Sequence, residues 1–145
     1  MPDILHKIGI QKSSPNGVYH ALTTVEGLSG WWTQASGEPA KAGGEITFSF
    51  GKSAMKMTVA EALHGQRVVW EVAQGHGPWG GTTVTFDIRQ KDATTLVLFG
   101  HRGWPEPTEL FAHSTTKWAV FLLSLKQFIE TGKGRPVPND IPIED

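Results

Sequence analysis

The middle of the chain alternates between apolar and polar positions with a period of two. Ile46, Phe48 and Phe50 are separated by polar or small residues. The same spacing returns in Met55, Met57 and Val59, in Val68, Trp70 and Val72, in Val84, Phe86 and Ile88, and in Val97, Phe99 and His101. Period two with one apolar face predicts antiparallel strands in a sheet covered on one side. His64-Gly65 and Lys91-Asp92 fall between paired runs at hairpin distance, which predicts a meander.

The two ends read differently. Ile4 to Ile10 is a short β-type run. Ser14-Pro15 then marks a helix start, because serine accepts a free backbone N–H and proline fits the first helical position. Thr23-Thr-Val-Glu26 spells a capping box for a second short helix directed at Trp31-Trp32. Residues 33–44, small and polar, read as a loop. From about Phe111 to Thr131 the period becomes helical, with Trp118, Phe121, Leu122, Leu125, Phe128 and Ile129 on one stripe. Gly132 supplies the left-handed stop, and Pro136 prevents resumption. The expected order is one strand, two short helices, about five strands and one long helix. That is an α+β domain over residues 1–132 with an extended tail over 133–145, and the sheet must curl to share a single helix.

Composition narrows the function classes. Thirteen Lys+Arg against 14 Asp+Glu give a net charge of −1, which removes the main electrostatic reason to expect nucleic acid or an anionic membrane. With 0 Cys there is no disulfide, thiolate metal site or cysteine nucleophile. The longest apolar run, Trp118 to Leu123, is far short of the ~20 residues of a membrane span, and the N-terminus lacks a signal-peptide pattern. The expectation is a soluble, cytoplasmic protein, monomeric or homodimeric.

Several stretches resemble one family. They are Ser14-Pro15 with Val18 to Thr24, Gly30-Trp31-Trp32, Met57-Thr-Val59 with Glu61, and Val69-Trp70. Gly81-Thr82 with Val84 and Phe86, Phe99 to Trp104, and Trp118 to Gly134 complete the set. Their order resembles the START-like (SRPBCC, Bet v 1-like) superfamily, in the branch related to the C-terminal domain of the Hsp90 ATPase activator. The resemblance implies a helix-grip fold: a curled antiparallel sheet around the C-terminal helix, with an apolar cavity between them. It implies a small hydrophobic ligand of the lipid, sterol or aromatic polyketide class. The alternatives it carries are an Hsp90-activator-like co-chaperone or stress-response interaction module, and a cyclase- or hydrolase-type enzyme. The activator's separate N-terminal Hsp90-binding domain has no room in 145 residues, which weighs against Hsp90 as partner.

Six tryptophans are numerous for a chain of this length, and they read either as core or as the wall of a wet apolar space. The expected wall and mouth comprise Trp31, Trp32, Phe48, Met55, Met57, Trp70, Trp79, Phe86, Phe99, His101, Trp104, Trp118, Phe121, Leu122 and Leu125. His101 shares a face with Val97 and Phe99, so it reads as a core histidine or as a polar group orienting a ligand. Glu61 has the parity of Met55, Met57 and Val59. It either faces the pocket rim or lies just past the buried part of its strand. His101 and Glu61 are the weak candidates for an acid–base pair, and no other catalytic residue, cofactor or metal is implied. Gly75-His-Gly77-Pro-Trp-Gly80 matches G-x-G-x-x-G, but a strand pattern follows where dinucleotide binding needs a helix. It reads as a glycine loop over the pocket mouth with Trp79 at its tip.

Overall fold

Seven antiparallel strands, two short helices and one long helix make up the computed structural model, which describes residues 1–144. The first strand, β1, spans Ile4–Gln11; α1 (Pro15–Thr23) and α2 (Val25–Trp31) follow. Then come β2 (Ala35–Gly37), β3 (Glu45–Phe50), β4 (Ser53–Leu63), β5 (Arg67–Glu71), β6 (Thr83–Lys91) and β7 (Thr94–Arg102). The last element, α3, spans Glu109–Thr131. Spatially the strands run β1-β7-β6-β5-β4-β3-β2, a meander from β2 to β7 with β1 returned to pair with β7. This is the helix-grip α+β architecture.

Local chemistry accounts for the element ends. Ser14 Oγ accepts the Gly17 N–H at 3.1 Å and Pro15 occupies the first turn of α1. The cap of α2 is Thr24, whose Oγ1 accepts the Gly27 N–H at 3.0 Å. This places the cap one residue beyond the Thr23 of the capping box, because the Thr23 hydroxyl instead donates to the Tyr19 carbonyl. Gly132 closes α3 at φ +87° while its N–H donates to the Phe128 carbonyl. At 1.5 Å per residue the 23 residues of α3 reach about 35 Å, enough to cross the sheet. The loop expected over 33–44 contains one short strand, β2, which pairs with β3 over three residues. A run of three with one glycine carries too little pattern to be read as a strand.

The inward faces of the strands carry the core. Ile46, Phe48, Met57, Val59, Val68, Trp70, Val84, Phe86, Val97 and Phe99 are all buried against Trp118, Leu122 and Leu125 of α3 and against Trp31 and Trp32. One irregularity interrupts this alternation. Val59 pairs with Trp70 but Glu61 pairs with Val69, so Ala60 is an extra residue on β4. A bulge of this kind moves every later side chain to the opposite face.

The open edge of β1 is covered rather than left to pair. Lys126 of α3 donates to the Gly9 carbonyl, and Glu130 accepts the Gln11 N–H at 2.8 Å. These bonds, with the shortness of β2 at the far edge, blunt both edges against strand addition.

Candidate functional site

The rings expected to wall a hollow lie mostly in contact with one another. Ring centroids are 4.4 Å apart for Trp32–Phe48, 4.5 Å for Phe99–Trp118 and 5.0 Å for Trp32–Trp118 and Trp70–Phe86. Separations of this size, about 4.5–7 Å, are those of packed aromatic pairs. Trp31, Trp32, Phe48, Met57, Trp70, Phe86, Phe99, His101, Trp104, Trp118, Leu122 and Leu125 are therefore buried in the layer between sheet and helix. Indoles are large enough to fill the space that smaller side chains would leave. The N–H groups of Trp32, Trp70 and Trp104 meet no protein acceptor. Each such group costs on the order of 1–3 kcal/mol, which ring burial must offset.

The accessible apolar space lies at one end of this layer. A groove of about 310 Å³ is lined by Phe50, Met55, Pro78, Trp79, Leu110, His113, Ser114, Lys117, Phe121, Val137 and Asp140. A second opening of about 360 Å³ shares Phe50, Met55 and Pro78 with it. Four parts of the chain converge here: the β3–β4 hairpin, a 3-10 turn at Gly77–Trp79, the first half of α3, and the tail. Of the expected residues, Met55, Trp79 and Phe121 line the groove. Trp79 is not an exposed tip but is 9% accessible, its ring 4.7 Å from that of His101 and 5.5 Å from that of Trp118.

The helix residues Leu110, His113, Ser114 and Lys117 were not anticipated, although the signal was present. With Phe121 they stand at i, i+3, i+4, i+7 and i+11, a second stripe beside the apolar one. A larger cleft of about 600 Å³ lies between the end of α3 and the tail. It is lined by Gly30, Phe128, Gly132, Lys133, Gly134, Arg135, Pro136 and Asn139.

His101 is held inside a chain of hydrogen bonds. The Trp118 indole N–H donates to His101 Nδ1 at 2.9 Å. Since indole has no acceptor, Nδ1 must be the unprotonated nitrogen, and Nε2–H donates to Thr82 Oγ1 at 2.7 Å. The Thr82 hydroxyl donates onward to the Trp79 carbonyl at 2.6 Å, and the Trp79 indole donates to Ser114 Oγ at 3.2 Å. Burial pushes the imidazole from its ordinary 6.5 down to about 3. A neutral ring with both nitrogens engaged pins β7, the Trp79 turn and α3 together. Its one N–H is engaged by Thr82 and its lone pair by the Trp118 indole, so neither points toward a ligand.

Glu61 lies elsewhere. The bulge turns it to the outer face, where it is 3.4 Å from Arg67 Nε. Arg67 also holds Asp87, and these two carboxylates raise its basicity, Asp87 more than Glu61. The His101–Glu61 acid–base pair is thus corrected: one member is in the core and the other across the sheet. Of the two placements left open for Glu61, the pocket rim is the one the structure removes, because parity assumes an unbroken strand and the bulge interrupts it.

The tail is docked on the same end of the molecule. Val137 N–H donates to the Trp32 carbonyl at 2.6 Å, and Arg135 N–H to Ser124 Oγ at 2.8 Å. Lys117 Nζ meets Asp140 at 2.6 Å, and His113 Nδ1 meets Glu144 at 2.6 Å.

A curled seven-stranded sheet gripping a long C-terminal helix, open at one end in an apolar groove, defines a START-like (SRPBCC) protein. Residues 12–130 match the family described as activator of Hsp90 ATPase homolog 1-like protein, and the chain belongs to that family. It is similar to the Aha1 dimer of Colwellia psychrerythraea solved in solution, with 40% identity and a TM-score of 0.82. That match covers 92% of this chain and 100% of the other. A protein from Staphylococcus saprophyticus shares the fold at 19% identity and TM-score 0.76, over 92% of this chain and 95% of its own. CalU16 from Micromonospora echinospora does so at 17% identity and TM-score 0.73, over 94% and 77%. No protein of curated function matches. No helix among the described residues is long and apolar enough to cross a membrane.

Proposed function

We propose that this protein binds a small hydrophobic molecule, of the lipid, sterol or aromatic polyketide class, in the groove at the end of the helix grip. One observation carries this reading: an opening of about 310 Å³ walled by Phe50, Met55, Pro78, Trp79, Leu110, Phe121 and Val137. Small-molecule sites are concave, mostly apolar and carry a few placed polar groups, with volumes of about 300–1,000 Å³. The groove has that make-up, with Ser114, His113 and Lys117 as its polar groups. It also ends on Trp79, so an occupant changes the surroundings of an indole. In this reading the protein is a soluble cytoplasmic binding module, not a catalyst.

The test is tryptophan fluorescence titrated with a panel of fatty acids, sterols and flavonoids. Wild type gives a saturable change with at least one class, and Met55→Glu, which sets a charge at the half-buried mouth, abolishes it. Silence across the panel, or an equal response in Met55→Glu, refutes the proposal.

A second reading has its own support. The relative with 40% identity over most of both chains is described as an Aha1 dimer. On that reading this chain self-associates and acts on Hsp90. Light scattering that gives twice the 15.8 kDa chain mass, with faster ATP hydrolysis by added Hsp90, supports it. A monomer without effect on Hsp90 removes it.

A further inference from the structure

The groove is apolar along its length and charged at one edge. There Lys117 lies with its ammonium 5.4 Å from the centre of the Phe121 ring, so the cation sits over a wall of the groove. Its carboxylate partner, Asp140, comes from the tail at 2.6 Å, with a side chain only 9% exposed. One helical turn earlier, His113 is met by Glu144 at 2.6 Å. Each basic group that α3 contributes to the groove is therefore held by a carboxylate of the same tail. The tail itself is fixed upstream, through Arg135 and Val137, at bonds that do not involve the groove's charged edge.

This division has a physical consequence. Lys117 is about three-quarters buried, and a cation so placed is costly without a partner. A neutral ligand that pushed Asp140 aside would leave that charge uncompensated. An anionic ligand would replace one carboxylate with another while its apolar body covered Met55, Trp79 and Phe121. Resting on the groove reading above, we propose that the ligand is an amphipathic anion with a carboxylate at Lys117, and that Asp140 is its built-in competitor. The tail beyond Asn139 is then a self-ligand for the charged end of the site.

The experiment is calorimetric titration with decanoate, decanol and acetate, below micellar concentrations. The proteins are the wild-type chain, Asp140→Asn, Lys117→Gln and Lys117→Arg, each checked for a cooperative thermal transition well above the titration temperature. Asp140→Asn tightens decanoate about threefold to tenfold, the scale of a partly buried ion pair, and leaves decanol within about twofold. Lys117→Gln erases the difference between decanoate and decanol, and Lys117→Arg keeps it. Acetate binds to none of them.

If decanol and decanoate bind alike in all four proteins, the anion inference falls and the groove reading stands. If Asp140→Asn weakens both, the tail is a wall of the site and not a competitor, which overturns the proposal. Acetate binding as well as decanoate overturns the amphipathic requirement. If neither ten-carbon probe binds to any protein, the anion inference falls, and the sterol and flavonoid arms of the fluorescence panel decide the groove reading.

Discussion

Acid should loosen this protein through one residue, His101. Its ring is fully buried, its two nitrogens are engaged by Trp118 and Thr82, and its pKa is lowered to about 3 from 6.5. Between those two values the unfolded chain binds a proton that the folded chain refuses. Stability contributed by the neutral ring is therefore complete above about pH 6.5 and declines as pH falls, until the ring is protonated in both states near pH 3. At pH 5 the loss relative to pH 7.5 is about 2 kcal/mol, and over the whole interval it approaches about 5 kcal/mol. Against a whole-domain stability of ~5–15 kcal/mol, that is enough to shift an unfolding midpoint plainly. The assay is urea unfolding at pH 7.5 and pH 5.0 for wild type and His101→Gln. A glutamine amide keeps an acceptor for Trp118 and a donor for Thr82 but does not titrate. His101→Gln should be less stable at pH 7.5 yet lose about 2 kcal/mol less than wild type on acidification. Parallel losses in the two proteins would refute the reasoning, as would a His101 ring resonance titrating near 6.5.

Other perturbations separate the packed layer from its open end. Phe86→Ala, fully enclosed, should cost ~3–5 kcal/mol in urea unfolding, whereas Phe121→Ala, which borders the groove, should cost clearly less. Equal penalties would mean that Phe121 is as enclosed as Phe86. Gly27→Ala should destabilise by about 1–3 kcal/mol despite alanine's better helix propensity, by thermal unfolding. Its Cβ would stand 2.7 Å from the Ala21 backbone, which cannot step aside; a neutral or stabilising result contradicts the α1–α2 packing. Glu61→Gln should change stability by less than ~1 kcal/mol, since Arg67 keeps Asp87 and the cluster is partly open to solvent.

Most of the architecture was legible because it rests on periodicity. A curled one-sided sheet, a long apolar-striped helix and the glycine stop at Gly132 follow from spacing alone, and the family resemblance gave their arrangement. What escaped depends on contacts between distant parts of the chain. The bulge at Ala60 is one extra residue in a run of otherwise regular alternation, and it reversed the face of Glu61. The pattern gave the inward direction of His101; its partners, 17 and 19 residues away in sequence, were beyond it. The inventory of indoles leaves core and wall of a space both open, and the rings stack closely enough to be core. Six bulky rings have the same periodicity whether they surround a void or fill it, so only coordinates distinguish the two. The groove escaped for another reason: one of its walls is built by Val137 and Asp140, in a segment whose proline spacing shows extension but not where it docks.

The central claim, that a hydrophobic molecule occupies the groove at the end of the helix grip, is tested most directly by locating a bound probe. Carbon–proton correlation spectra of the Met55 and Leu110 methyls and the Trp79 indole, recorded during titration with decanol, provide that location. The account predicts saturable shifts at these three residues and at Phe121, with Trp31 and Phe86 unmoved. Saturable shifts centred on the Gly132–Asn139 cleft or on the outer sheet face, with Met55 and Trp79 silent, would contradict it.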